Sequence, residues 1–312
     1  MAKIAFLVNP ASANGRTGRK WPSLAHDAAL HGLEGPAYLS NHAGHLAHLV
    51  NKATDDGANL VIAVGGDGTV NEIVQGLLDR HKKGLYIPEL AVIPQGTGRD
   101  FARTFKLPKN TNEAFEIIRS GETQKLDAGI ASFKNPQGVT TPSYFVNIAS
   151  VGMSGRIAER ANATSKALGG KASFLIATLK VFSQWSPREI HIEVDKIEHQ
   201  GLMHDVLIAN CRFLGGGMKM CPNADPNDGL FDVLALGEIT KSDLAKTLPR
   251  IYRGTHLPHP KASLLRGTKV AIDADISLPI QLDGEQPGTT PVVFEIIPQA
   301  IQLRVPQAEC FA

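Results

Sequence analysis

The chain has 312 residues, 43% hydrophobic and 20% charged, with a formal net charge of +2. That is enough apolar material for one large or two ordinary globular domains, and it excludes a disordered chain. The near-neutral balance, with no run of Lys and Arg, predicts no nucleic-acid partner, and three cysteines without CxxC spacing (Cys211, Cys221, Cys310) point to a reducing cytosol.

The opening run Lys3–Val8 ends at Asn9-Pro10 and reads as a buried strand, too short for a signal peptide or a transmembrane segment. A helix over Trp21–Leu30, a short strand over Gly35–Leu39 and a helix over His42–Thr54 follow. Leu60–Val64 is a second apolar strand, Thr69–Leu78 a helix, and Leu90–Ile93 a third strand closed by Pro94. Continuous apolar strands alternating with helices predict a parallel sheet covered on both faces. Thr97 or Asp100 is expected to cap a short helix through Phe105, and Asn110–Arg119 forms another helix before Gly121.

Beyond Asp127 strand-like runs dominate: Tyr144–Ala149, Glu189–Asp195, Met203–Asn210, Leu230–Leu236, Lys269–Asp273, Ser277–Asp283, Val292–Ile297 and Ile301–Val305. Helices are expected over Ala172–Gln184 and Lys241–Tyr252. Turn signals such as Asn227-Asp228-Gly229 and Asp283-Gly284 predict a mostly antiparallel domain of two packed sheets, beginning near Leu126–Gly129.

The strongest chemical signal is Gly65-Gly66-Asp67-Gly68-Thr69, placed between a strand and a helix, with Val70, Asn71 and Glu72 in the first helical turn. Backbone N–H groups converge at such a point and suit a phosphate, although Asp67 would repel a bare one. The pattern is neither a GxxxxGKS loop nor a GxGxxG fingerprint. In a parallel sheet the strand carboxyl ends share one edge, where ligands bind. That edge also carries Asn9-Pro10-Ala11-Ser12-Ala13 and Pro94-Gln95-Gly96-Thr97-Gly98-Arg99-Asp100. Arg16, Arg19 and Lys20 follow the first loop, either reaching phosphates or lying on a solvated face. His42, His45 and His48 recur on one helix without the spacing of a zinc site. The Met218-Lys219-Met220 stretch suits either an acyl pocket or apolar core.

Asn9-Pro10, Gly65–Glu72, Gly96–Arg103, the turn Asp225–Leu230 and Asp283-Gly284-Glu285 together resemble bacterial lipid kinases of the diacylglycerol kinase catalytic-domain family, relatives of sphingosine and ceramide kinases. The resemblance covers nearly the whole chain in order. It implies an N-terminal Rossmann-like three-layer α/β nucleotide-binding domain (1–128), a C-terminal β-sandwich domain for the lipid (129–300), and a tail (301–312) expected to return to the first domain. It implies ATP and Mg²⁺ as cofactors. Nucleotide contacts fall on Asn9, Pro10, Ala11, Ser12, Ala13, Ser40, Gly65, Gly66, Asp67, Gly68, Thr69, Val70, Asn71 and Thr97. A structural Mg²⁺ falls on Asp225, Asp228 and the Leu230 carbonyl. Glu285 becomes the general base, with Asp283 and Asp67 positioning metal and acceptor. Arg99 departs from the family, where Asn is common, and would alter contacts near the phosphates. The resemblance further implies a cytoplasmic enzyme that meets its lipid substrate at the membrane surface, and it leaves monomer or homodimer open. Two other readings are an NAD kinase, which also uses a Gly-Gly-Asp-Gly turn, and a catalytically silent lipid-binding or regulatory protein of the same fold.

Overall fold

The computed structural model describes residues 2–135, 137–163 and 170–307, with the side chains of 162–173 also outside the description. The chain forms two compact units, residues 1–126 with 299–312, and residues 127–298. Cys310 lies outside the described residues.

In the first unit, strands β1 (Ile4–Val8), β2 (Ala37–Leu39), β3 (Leu60–Gly65) and β4 (Glu89–Pro94) pair in parallel in the order β4-β3-β1-β2. Strands β1 and β3 are buried along their whole length because helices cover both faces. Phe6, Val8, Ile62, Val64 and Ile93 pack on Leu24 and Ala28 of helix α1 (Arg16–Leu30) and on Phe115 and Ile118 of α5 (Thr111–Ser120). Side chains alternate along a strand, so Leu7, Val61 and Ala63 turn to the other face. There α2 (His45–Asp55) and α3 (Asp67–Lys82) pack on each other and on the sheet.

Helix α1 starts at Arg16, earlier than the expected Trp21, and carries Pro22 inside it. Helix α4 (Asp100–Thr104) is capped by neither Thr97 nor Asp100: the flanking residue is Arg99, in the left-handed region at φ 61°. Asn110 does cap α5, its side chain accepting from Asn112 N. Residues 299–307 belong to this unit too. Leu303 pairs in parallel with Leu90, and Arg304 Nε donates to Glu89 at 2.6 Å.

The second unit is antiparallel. Its elements are β5 (Glu122–Lys134, entering from the first unit), β6 (Thr140–Phe145), β7 (Ile148–Gly152), α6 (Met153–Ala163), α7 (Gly170–Gln184), β8 (Arg188–Val194), β9 (Ile197–Ala209), β10 (Phe231–Gly237), α8 (Lys241–Arg253), β11 (Ala262–Gly267), β12 (Lys269–Ala274), β13 (Pro279–Leu282) and the start of β14 (Glu285–Val305). Two packed sheets were expected, but the pairing closes on itself: β7–β13–β14–β12–β8–β9 and back to β7. The long strands cause this by changing partners along their length. Strand β9 pairs with β8 through Met203 and with β7 from Asp205 onward. Strand β14 pairs with β13 near Thr289 and with β12 from Val292. The closed ring wraps a core of Phe145, Phe231 and Phe294 with Val, Ile and Leu from the surrounding strands. The expected strand Tyr144–Ala149 is in fact split between β6 and β7, and the expected pair Val292–Ile297 and Ile301–Val305 is one continuous strand.

Candidate active site

In the first unit, the loops after β1, β3 and β4 lie side by side at the carboxyl edge of the sheet. Asn9 N donates to Val64 O at 3.1 Å, Ser40 N to Val8 O at 2.9 Å, and Gln95 N to Gly65 O at 2.8 Å. The β3 and β4 loops touch through glycine backbone. A Cβ added to Gly96 would sit 2.5 Å from Gly66 Cα, so no side chain fits there. The β1 loop is wound by its own polar groups: Ala11 N donates to Asn9 Oδ1 at 3.1 Å, and Thr17 Oγ1 to Ser12 Oγ at 3.2 Å. Ala13 and Asn14 are left-handed at φ 52° and 57°, a conformation that costs energy for non-glycine residues and gathers at functional loops.

Helix α3 begins at Asp67, so Asp67, Gly68 and Thr69 form its first turn. Thr69 is therefore not the N-cap. Gly66 holds that place, and no side chain caps the helix. First-turn N–H groups have no partner inside a helix, and together with the helix dipole they suit an anion. The Thr69 hydroxyl is buried without a hydrogen-bond partner among the described residues, while the space beside Gly68 is open. Ser40 is buried and Thr97 exposed.

Two acidic residues of this stretch accept backbone N–H groups of neighbouring elements. Glu72 accepts Leu46 N at 3.2 Å in the first turn of α2, and so caps the neighbouring helix. Asp67 accepts Phe101 N at 3.1 Å and fastens the start of α4. Burial raises the Asp67 carboxyl above its ordinary range, opposed by backbone N–H groups of Phe101, Arg99 and Asp100 and by the charge of Arg103. This explains how an acid sits among phosphate-type N–H groups: the next loop's backbone already neutralises part of its charge. Arg99 also has a local role. It donates to Leu107 O at 3.1 Å and Pro108 O at 2.8 Å, which commits one end of its guanidinium to holding the chain beyond α4.

The second unit contains Asp283, Glu285, Asp225, Asp228 and Leu230. Asp283 and Gly284, at φ 49° and 98°, form the two-residue loop joining β13 to β14, with Leu282 paired to Glu285. Both positive angles define a type I′ hairpin turn, for which Asp-Gly is a preferred pair. Asp283 Oδ2 accepts Val146 N at 2.9 Å, and its Oδ1 accepts Asn147 N at 3.0 Å and Ile148 N at 3.1 Å. The carboxylate thus anchors the turn between β6 and β7. Beneath it the Gln281 amide, in the orientation its neighbours require, donates to Ser150 Oγ and Ile148 O and accepts from Gly284 N at 2.7 Å. Glu285 is exposed at the end of this braced hairpin.

The Asp225–Leu230 turn does not fit a resident Mg²⁺ as it stands. Asp228 is ion-paired with Arg266 through Oδ2 and accepts Leu230 N through Oδ1 at 3.0 Å. Asp225 Oδ1 accepts Asn227 N at 3.2 Å, and Gly229 N donates to Asp127 Oδ2 at 2.7 Å. Mg²⁺ needs near-ideal octahedral oxygens, and here one of two carboxylates is already matched to a guanidinium. Melting without nucleotide should therefore show no Mg²⁺-dependent stabilisation of the wild-type chain. Arg266→Ala should create one by freeing Asp228. A wild-type Tm that climbs with Mg²⁺ and stops doing so in Asp228→Ala would instead restore the metal turn.

An apolar cavity of about 80 Å³ in the second unit was not foreseen as a whole. Phe174 and Thr178 of α7, Leu244 and Leu248 of α8, and Leu207 and Leu236 of the sheet line it, with Met218 and Met220 at one side. Its walls are almost wholly apolar. Two carboxyls border it, Asp243 of α8 and Asp205 of β9, and Asp205 accepts Ser154 N at 3.2 Å and the Ser154 hydroxyl, and so holds the first turn of α6. Burial pushes this carboxyl up to about 7, and burial pushes the neighbouring His204 down. The folded chain therefore keeps a proton on Asp205 that the unfolded chain releases. Stability from this group is fully present below the ordinary carboxylate range and is lost as pH rises toward about 7. Asp205→Asn should flatten the pH dependence of Tm across that window; an unchanged slope would remove Asp205 as its source.

Comparison with known proteins agrees with this architecture. Residues 3–131 match the diacylglycerol kinase catalytic domain, and residues 147–305 match the YegS C-terminal NAD kinase beta sandwich-like domain. A diacylglycerol kinase of Staphylococcus carnosus is 27% identical over 98% of this chain and 95% of its own length. The crystal structure of a diacylglycerol kinase from Bacillus anthracis superposes with a TM-score of 0.71 at 19% identity, covering 98% of both chains. A yeast NADH kinase complexed with NADH is more distant, at TM-score 0.54 and 10% identity over 99% of this chain and 84% of its own. The structural likenesses speak for a shared fold of an α/β domain followed by a β-rich domain. The two consecutive domain matches, spanning nearly the whole chain, make it a kinase belonging to the diacylglycerol kinase catalytic-domain family of lipid kinases.

Proposed function

We propose that the chain transfers the γ-phosphoryl group of Mg·ATP to a hydroxyl of a diacylglycerol-like lipid. The carrying observation is the uncapped first turn of α3, flanked by glycine backbone that no side chain can occupy. It offers N–H donors to a polyphosphate without excess positive charge. In this reading the Asn9–Ala13 loop, Ser40, the Gly65–Asn71 turn and Thr97 hold the nucleotide. The lipid hydroxyl oxygen attacks the γ-phosphorus as the bond to the β-phosphate oxygen breaks, ADP leaves, and Glu285 takes the hydroxyl proton. Mg²⁺ enters with the nucleotide as part of the substrate.

The first domain serves ATP and the second the lipid, whose acyl chain would be met by the apolar lining between α7, α8 and the sheet. That lining disfavours the NAD kinase alternative, because a dinucleotide presents charged and hydrogen-bonding groups that such walls would leave unpaired. Among the described residues no helix is long and apolar enough to cross a membrane, so the reading places the enzyme in the cytoplasm with transient residence on the bilayer. The test is radiolabelled ATP offered with diacylglycerol, monoacylglycerol, phosphatidylglycerol, sphingosine and NAD. Label on diacylglycerol supports the reading. Label on NAD alone, or on none of them, overturns it in favour of the NAD kinase or the silent lipid-binding alternative.

A further inference from the structure

The outer faces of α7 and α8 carry features that phosphoryl transfer does not use. Both helices wall the apolar cavity with their inner faces. On the outer face of α7, Ile176 is 53% and Leu179 48% exposed, neighbours at i, i+3, with exposed Lys180 beside them. On α8, Lys246, Arg250 and Arg253 are exposed, and helical spacing gathers them on the arc turned away from the cavity-facing Leu248. The one acid of α8, Asp243, is taken up by the Thr240 capping box and by Lys261 at 3.5 Å. Among the described residues none of these three cations is in an ion pair. Residues of α7 and α8 line the same cavity, so both outer faces belong to the surface around it.

Exposed apolar side chains beside a basic arc match the composition of interfacial helices, which insert the first and pair the second with anionic headgroups. We propose that the α7–α8 layer is the surface by which this enzyme docks on a bilayer containing anionic lipid. Ile176 and Leu179 enter the headgroup–acyl boundary, and Lys246, Arg250 and Arg253 meet lipid phosphates. The occupant is argued from charge and from place: the cavity for an acyl chain lies directly behind these helices. The inference rests on the lipid-kinase reading, since a substrate with acyl chains must leave a bilayer to reach that cavity.

The test is flotation of the full chain with vesicles of phosphatidylcholine alone or mixed with phosphatidylglycerol, at low and high salt. The wild-type chain should float with the mixed vesicles and lose affinity as salt rises. The triple variant Lys246→Gln, Arg250→Gln, Arg253→Gln should bind them about 100-fold more weakly. The pair Ile176→Ser, Leu179→Ser should weaken binding at both salt concentrations. Phosphorylation of a dispersed short-chain diacylglycerol should be unchanged in both variants, which also reports that they fold. A triple variant that floats like wild type, or a wild type that binds neutral vesicles equally well, overturns the proposal. If the wild type phosphorylates no diacylglycerol yet floats on anionic vesicles through these three cations, the docking surface stands and the lipid-kinase reading fails.

Discussion

Glu285→Gln should lower kcat by about 10²–10⁴-fold while ATP affinity stays nearly constant. The side chain is exposed at the first residue of β14, directly after a type I′ turn. The turn is rigid for a reason on the opposite strand: Asp283 is held by three backbone N–H groups, and the Gln281 amide bonds Gly284 from below. Glutamine keeps the length and shape of glutamate and removes only its ability to take a proton. A loss confined to kcat therefore reads out proton transfer, measured by steady-state kinetics with ATP varied. Near-normal turnover would remove Glu285 from the mechanism. Asp283→Asn provides the contrast. It weakens the anchor of the hairpin, so it should reduce thermal stability as well as turnover.

Asp67→Ala should abolish phosphoryl transfer and also lower the thermal midpoint. Had Asp67 been a free loop carboxylate, its removal would leave stability nearly unchanged. It instead accepts Phe101 N in the first turn of α4, and loss of a cap-type acceptor costs about 0.5–2 kcal/mol. Asp67→Asn separates the two roles, because the amide oxygen still accepts the Phe101 N–H but carries no charge. The expected result is a Tm restored toward wild type with transfer still lost. If Asp67→Asn phosphorylates lipid at the normal rate, the charge of Asp67 plays no part at the nucleotide site.

The parallel core was legible because Lys3–Val8, Leu60–Val64 and Leu90–Ile93 are unbroken apolar runs, the pattern of strands covered on both faces. The second unit was less so. Strand β5 opens on the polar Glu-Thr-Gln-Lys, and β11 (Ala262–Gly267) is half-exposed at a sheet edge, so neither shows a strong period. Closure of the ring came from partner changes within β9 and β14, which no local pattern encodes. At the candidate site the strand–turn–helix around Gly65–Glu72 could be read, but the partners of its acids could not. Asp67 answers to Phe101 and Glu72 to Leu46, contacts set by tertiary packing. The same holds for Asp228, whose apparent metal-ligand role competes with Arg266, 38 residues away. The cavity is built from segments scattered between Met153 and Ala262, each of which reads alone as ordinary core.

The return of residues 299–307 to the first unit bears on the order of synthesis. Among the described residues strand β4 has β3 on one side and the last stretch of β14 on the other, with Leu303 beside Leu90. Arg304 reaches Glu89 and the Gly121 carbonyl, and Gln307 reaches the Ser120 carbonyl. A ribosome that has finished the first 126 residues has therefore made a domain with one sheet edge still bare. It must deliver the whole of the second unit before that edge is covered. During translation the nascent chain carries an open strand edge of the kind that recruits stray partners. A fragment cut at Leu126 would carry the same edge permanently.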